Sequence, residues 1–428
     1  MRLPCLGFAR WGALLALLMT PGSGLASSAQ VDQPITVDEL VTAVLEVNPQ
    51  VKSARAQWNS ALHQIKQNYV PADPTFGYNN IDSWRGIGAP GIHEYTVTQP
   101  VQFPGKALYQ ADMARRTAKI AQISYLATVR DTRAAAETGY YQALLDDALA
   151  DVTAAQLADL ARVVKVTQIK YEANQAAQSD VISAQFDYST TKQSLAQTRL
   201  AARNDLRNLN QLLFRRPDSP LLLSRKINLK PFRARLDSLV DRAVASRQEI
   251  LEAALTEKNN DVALKLARME YLPDFTFGYN FDDFAVPNFA PAPSHTQDHT
   301  IMIGLTVPIF AWWRQREDIT KAQYDLEAAA DNLASIRKQT EVAVTQLYDQ
   351  VQLDYQIAVN YRDYLVPLAR ENFNVALVAY TGQKIEFADL SGAIQRSYNA
   401  RIAYLQAVNQ FYAQEVALEQ TVGSPILQ

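Results

Sequence analysis

Cysteine is nearly absent. The one present, Cys5, lies in an N-terminal stretch patterned for removal. The exported protein would then hold no disulfide, no thiolate metal site and no cysteine nucleophile. Histidine is scarce as well, with 4 in 428 residues, too few for a histidine-rich metal centre. Basic excess is also missing: 41 Lys and Arg face 44 Asp and Glu, a formal charge of −3. That balance excludes a partner held by nucleic-acid phosphates. Beyond the N-terminus no apolar run reaches the length of about 18 residues that marks a membrane helix. Barrel strands would escape such a scan. A phosphate-cradling glycine loop and a Ser/His/Asp set are lacking too, so no enzyme, cofactor or resident metal is expected.

What is present begins with an export signal over residues 1–29. Arg2 and Arg10 supply positive charge, and Ala13 to Met19 form a short apolar core. Pro21-Gly22 and small residues follow, with acceptable cleavage sites after Ala26 and Ala29. Neither site carries a cysteine, so no acyl anchor on the mature N-terminus is expected.

The rest of the chain is a duplication. Tyr69-Val70-Pro71 leading into Phe76-Gly77-Tyr78-Asn79 returns as Tyr271-Leu272-Pro273 leading into Phe277-Gly278-Tyr279-Asn280. Val97-Thr98-Gln99-Pro100-Val101 returns as Leu305-Thr306-Val307-Pro308-Ile309. Tyr171, nine residues before Asp180-Val181, returns as Tyr380, nine before Asp389-Leu390. The order is kept and the small drift in offset falls in loops. The first repeat spans 30–213 and the second 236–428. A segment holding Pro217, Pro220 and Pro231 bridges them over 214–235, about midway along the molecule.

Each repeat has one layout. A short helix (Val37 to Val47, Leu236 to Ala245) precedes a second helix of about 20 residues, stopped by Pro71 or Pro273. Period-two strands follow at about 74–83 and 93–103, then at about 274–283 and 299–310. Proline-rich loops, including Asp283 to Asp298, join them. Next come helices of unusual length. From Lys106 to Leu213 there is no proline and only Gly139 as glycine. A break near Tyr171 to Ser179, with Ser179-Asp180 as an N-cap, leaves a helix of about 65 residues, roughly 100 Å, and a shorter return helix. The second repeat matches, with tip 380–389 and a kink expected at Pro367. Such helices cannot bury themselves and must pair as coiled coils do. The pre-strand and return helices, stacked end to end, nearly match the long helix beside them.

Four strands with one apolar and one polar face are unstable alone and too few to close a barrel. Three chains would supply twelve. The fold class is therefore mainly α with a small β part, completed by a homotrimer. Tyr78, Trp84, Tyr95, Trp312 and Trp313 sit near strand ends, where membrane-interface aromatics belong.

This plan resembles the TolC family of outer-membrane efflux proteins. The resemblance rests on the Tyr-x-Pro segments entering Phe-Gly-Tyr-Asn strands and on the exit Thr98-Gln99-Pro100-Val101-Gln102-Phe103-Pro104-Gly105-Lys106. The turns Tyr171…Asp180-Val181 and Tyr380-Thr381-Gly382…Asp389-Leu390 extend it. It covers nearly all of the mature chain, and the exit motif is similar to members of the CzcC and CusC heavy-metal kind. The resemblance implies a twelve-stranded barrel in outer-membrane lipid and an α-helical tunnel across the periplasm of a Gram-negative bacterium. It also implies a periplasmic adaptor and an inner-membrane pump of the RND type as partners.

A duct needs a water-lined bore and a closable end. The two turns would meet at the periplasmic tip, where Asp180, Glu386 and Asp389 would form a carboxylate ring and Tyr171 and Tyr380 would pack the turn. The aspartates would equally serve as caps of the return helices. His295 and His299 fall in a proline-rich loop and read as exposed. Glu137, Asp146, Asp147 and Asp151 read as a solvated helix face. The competing class is an exported coiled-coil scaffold or adaptor of the envelope. It explains the helices but not strands suited to lipid.

Overall fold

A computed structural model describes residues 34–68, 70–81, 92–225, 229–286, 294–307 and 311–424. The export signal and Trp84 lie outside them. In order, the elements are α1 (Val37–Val47), α2 (Pro49–Gln67), β1 (Thr75–Ile81), β2 (Ile92–Val101), α3 (Pro104–Glu172) and α4 (Gln178–Leu212). The second set is α5 (Leu236–Ser246), α6 (Gln248–Met269), β3 (Asp274–Val286), β4 (Ser294–Thr306), α7 (Ala311–Asn360), α8 (Val366–Thr381) and α9 (Phe387–Val422). No described helix is long and apolar enough to cross a membrane.

Local chemistry starts the helices. Thr36 caps α1 and accepts from the Glu39 amide, while Glu39 returns a bond to the Thr36 amide. Asn48 caps α2 ahead of Pro49, whose missing N–H costs nothing at the first helical position. The 69 residues of α3 reach about 100 Å. α2 packs beside its sheet-proximal part, where Trp58 stacks on Tyr125 at 5.7 Å. α4 returns along the remainder.

The expected kink at Pro367 takes a definite form. Residues Tyr361–Leu365 make a π-helical turn between α7 and α8. Proline lacks an N–H, and its ring would strike the carbonyl four residues back. A wider turn placed just ahead of it relieves both problems.

The strands form one antiparallel sheet in the order β1-β2-β3-β4. β2 pairs with β3, so the two repeats share a continuous sheet. The ladder between β3 and β4 runs from Asp274↔Thr306 to Val286↔Ser294. It extends into the segment Asp283 to Asp298 that its proline, asparagine and aspartate suggested would be a loop. His295 and His299 are therefore strand residues, and His299 accepts or donates a bond with the Tyr279 hydroxyl at 2.7 Å. Pairing continues there because a ladder satisfies backbone groups whatever the side chains.

At the other end of the sheet the exit motif gains a structural role. Lys106 is buried, with Nζ 3.0 Å from Asp274 Oδ1 and 3.4 Å from Glu270 Oε2. The Phe103 amide donates to the same Asp274 oxygen at 2.9 Å. The first repeat's strand exit is thus tied to the second repeat's strand entrance. Gly105 lets the Met269 thioether pack close, since a Cβ there would lie 2.8 Å from its end and make it shift.

Two cores sit at the waist. In one, α1 closes on α3 and α4 through Leu40, Val44, Tyr140, Leu144 and Leu209. In the other, α5 closes on α7 and α9 through Leu239, Val344, Val351, Phe411 and Leu418. The bridging segment is strapped on. Ile35 and Leu223 form a parallel bridge, and Tyr140 donates to the Ser224 carbonyl at 2.9 Å. Asn210 donates to the carbonyls of Pro217 and Ser219, both at 2.9 Å. Arg225 pairs with Asp147 and Asp151. Of the carboxylates that read as one solvated face, Glu137 departs: it is buried and bonded to Arg133 at 2.7 Å. A stripe drawn on one helix cannot show that α9 covers it.

Arg130 joins helices α3 and α6 just towards the sheet from the waist. It donates two bonds to Glu249, at 2.7 and 3.0 Å, and one to Gln248 at 2.8 Å. Burial alone would raise the Glu249 carboxyl, but hydrogen bonds and charge from Arg130 outweigh it and hold the group at about 2. A depressed carboxylate stabilises the fold above its unfolded value and loses that contribution as the pH falls. Glu249→Gln should therefore cost about 1–2 kcal/mol near neutrality, discounted because the pair is partly solvated. The deficit should shrink between about pH 4.5 and pH 2. Thermal melts of the two proteins across that range check it, and a pH-independent deficit contradicts it.

Candidate functional site

The tip carries the duplication down to single bonds. α3 ends at Glu172 and α8 at Thr381 with the same motif. The Gln175 amide donates to the Lys170 carbonyl at 2.7 Å, and the Lys384 amide donates to Ala379 at 2.9 Å. Inside these, Asn174 donates to Tyr171 and Gln383 donates to Tyr380. This double closure requires a left-handed residue just past the helix. Asn174 has φ 56° and Gln383 has φ 60°. Gly382, the glycine visible in the turn, has φ −83° and is not the residue that bends.

The return helix α4 begins two residues earlier than Ser179-Asp180 as its N-cap suggested. Ala177 is the N-cap of α4, leaving Asp180 in the first turn. From there its carboxylate accepts from the Ala177 amide at 3.3 Å. Asp389 occupies the matching position in α9, after the N-cap Glu386, and is exposed. Asp180, Tyr380 and Glu386 line one cleft of about 770 Å³ between the two turns. Tyr171 and Asp389 do not line it. Tyr171 is 43% exposed, whereas Tyr380 is 4% exposed.

The asymmetry between the tyrosines has a cause that sequence reading missed. Lys170 is buried, donates to the Tyr380 carbonyl and lies 4.5 Å from the centre of the Tyr380 ring. The Tyr380 hydroxyl donates to Thr167 at 3.4 Å, and its ring meets Phe387 edge-on. Ser391 donates to Asp187 at 2.9 Å, and Tyr398 donates to Asp159. The two hairpins are latched together through groups more than 200 positions apart. Only a lysine one place before the repeated tyrosine, where the second repeat has Ala379, hinted at this.

At the opposite end, the register separates two faces of the sheet. One carries Phe76, Val97, Tyr279 and Ile301 in one cross-strand row, then Tyr78, Tyr95, Phe281 and His299 in the next. Phe76, Ile301 and Ile303 are each at least 72% exposed, an apolar surface with nothing over it in one protomer. Tyr78 and Tyr95 lie at its outer end, 5.1 Å apart. Trp313 is exposed at the inner end, on the first turn of α7; Trp312 precedes it in the same turn. The other face carries Thr75, Thr98, Thr96, Asn280 and Thr300, then a row of Asn79, Glu94, Asp282 and Asp298. Asn79 and Asn280 both donate to Glu94. Glu94 and Asp298 had not stood out, because only the pairing register puts them beside Asp282. No described group of His, Cys, Asp and Glu could hold a metal ion.

Residues 239–424 match the model of the family described as outer membrane efflux protein. Over 326 residues the chain is 20% identical to the cobalt-zinc-cadmium resistance protein CzcC of Cupriavidus metallidurans, covering 76% of this chain and 75% of that one. The fold matches the outer-membrane protein VceC of Vibrio cholerae with a TM-score of 0.75, at 16% identity over 91% of this chain and 97% of that one. It matches CusC with a TM-score of 0.76, at 12% identity over 91% and 92%.

Replacing Lys170 with Met should remove the charged donor while keeping most of the volume. The lost bond should cost about 1.5–3 kcal/mol of tip stability. Amide hydrogen exchange should rise in 165–175 and 376–388 together. Exchange rising in only one hairpin would contradict the latch.

Proposed function

We propose that this chain, whose second repeat belongs to the outer membrane efflux protein family and whose whole fold is that of the TolC-like channels, is the outer-membrane duct of a tripartite efflux system. It resides in the outer membrane of a Gram-negative bacterium and extends into the periplasm. The observation that carries the reading is a four-stranded sheet with an open edge at β1 and another at β4, one bare apolar face and one polar face. Three copies close twelve strands, putting the apolar faces on lipid and the Thr, Asn and carboxylate rows on water. Tyr78, Tyr95 and Trp313 then mark the two interfaces.

Transport is passive. The chain supplies a bore and a tip and leaves energy coupling to its partners, an adaptor and an inner-membrane pump. The pump is of the RND type in this reading. For cargo, the likeness to CzcC and the bore-facing row of Glu94, Asp282 and Asp298 favour metal cations, which a carboxylate lining concentrates. A scaffold or adaptor role leaves the bare apolar sheet without a purpose.

At the tip, Asp180, Glu386 and Asp389 of three protomers crowd negative charge at the bore's end, with Tyr171 and Tyr380 at the ends of the helices that carry it. Asp180→Asn combined with Asp389→Asn should raise single-channel conductance in a planar bilayer. Unchanged conductance would reduce the aspartates to helix caps. Failure of the wild-type protein to form trimers or channels at all would sink the duct itself.

A further inference from the structure

The waist holds an acid in a place built for apolar side chains. Glu415 lies on α9 between Phe411 and Leu418, both core residues, and is itself 6% exposed. Its Oε1 has no hydrogen-bond partner. The facing helix is α3, and three contacts fix the antiparallel register. Asn409 donates to Gln142 at 3.1 Å, Tyr412 stacks on Tyr141 with ring centres 4.3 Å apart, and Gln420 donates to Asp131 at 2.8 Å. One turn from the tyrosine pair, that register sets Glu415 against Glu137, which is also buried. Glu419 is a turn further along α9.

The charges around Glu415 are therefore mostly of its own sign. From α3 come Glu137, which is bonded to Arg133, and Tyr141. From α9 come Glu419 and Tyr412, and from the bridging segment comes Lys230. Asp38 of α1 faces Glu137 from behind. Burial raises the Glu415 carboxyl first; Glu419 and then Glu137 raise it further, and Lys230 offsets only part, leaving it at about 7. A cavity of about 220 Å³ lined by Glu137, Glu419, Arg133 and Val416 opens alongside.

We propose that Glu415 is a proton-binding site at the waist: a proton held there lets α9 close on α3, and its loss drives the two helices apart. An ionised carboxylate buried without a partner and beside two others is expensive. The penalty is relieved in any opened state where the carboxylate meets water, so ionisation raises the population of that state. The tyrosine stack, the Leu418 and Val422 contacts with α5 and the strapped bridging segment all sit on that seam. The group's folded-state value is raised, so its stabilising effect is complete below about pH 4.5 and is lost as the pH rises through about 7. The waist is tight in acid and loosens on the alkaline side.

The test uses the full-length protein in detergent. Exchange of amides in 405–422 and 136–144 is compared at about pH 5 and about pH 9, corrected for intrinsic exchange. In the wild type the opening constant should rise by up to about a hundredfold, the change that a shift of about two units allows. Glu415→Gln should abolish that rise and remain protected at both values. Glu419→Gln removes a neighbouring like charge, so it should move the midpoint to lower pH while keeping the rise. Infrared difference spectra should show one carboxyl band lost over the same range and missing in Glu415→Gln. A wild-type rise that persists in Glu415→Gln overturns the proposal. Should that variant fail to assemble, an unmoved midpoint in Glu419→Gln overturns it equally. Because these measurements read packing and not conductance, they are independent of whether the duct reading holds.

Discussion

Two unpaired strand edges govern this molecule. β1 and β4 each present a row of N–H and C=O groups with no partner among the described residues. In hydrocarbon each such group costs several kcal/mol, so an open sheet cannot remain there. In the proposed duct, closure comes from other copies, and closure around three copies sets everything below it. Six strand pairs arriving on one circle oblige their helices to descend as a ring. Helices in a ring have two flanks to cover, which is why α3, α7 and α8 carry apolar residues beyond what one protomer buries. Exposed Leu108, Tyr324, Leu368 and Val375 are the surplus.

A tube made from a duplicated unit must also keep its halves in step. Near the sheet the chain does this with charge: Lys106 is shared between Glu270 and Asp274 at the junction of the repeats. Towards the waist it uses the Arg130 and Glu249 pair, and then the bridging segment bound by Tyr140, Asn210 and Arg225. At the tip it uses Lys170 and Tyr380. Each clamp joins distant parts of the chain at a different height along the helices. Between clamps the helices meet through apolar clusters such as Val152, Leu160, Val163 and Ile394.

Much of this was legible because repetition and periodicity are local. The Phe-Gly-Tyr-Asn strands, the proline-free helices and the paired tyrosine–aspartate turns needed no tertiary knowledge. What escaped depended on partners far along the chain. Nothing near Glu137 says that α9 covers it. Nothing near Asp298 says that its ladder partner is Asp282. At the tip turn the left-handed residue is Gln383 and not its neighbour Gly382, because the position after the cap is fixed by which carbonyls the turn must satisfy. Similarly, α4 ends with Phe214 left-handed at φ 52°, where the matching end of α9 has Gly423 at φ 79°. A reader scanning for glycine finds the second stop and not the first.

The departures from symmetry are concentrated in one half, and that decides where movement belongs. Up to the turns, α3 is unbroken, whereas its counterpart is interrupted by the π-turn ahead of Pro367. A wide turn has lost part of its hydrogen-bond ladder, so it bends at lower cost than the helix either side. The second hairpin is thus the hinged one and the first the fixed one. The tip bonds agree with this division. Asp180 is committed to its own helix through the Ala177 amide, while Asp389 stands exposed. Tyr171 needs no latch, while Tyr380 is held by Lys170 from the fixed side. In the proposed gate, opening would release one hairpin of each pair from the other about the π-turn, with the Lys170 latch opposing the repulsion between the tip carboxylates.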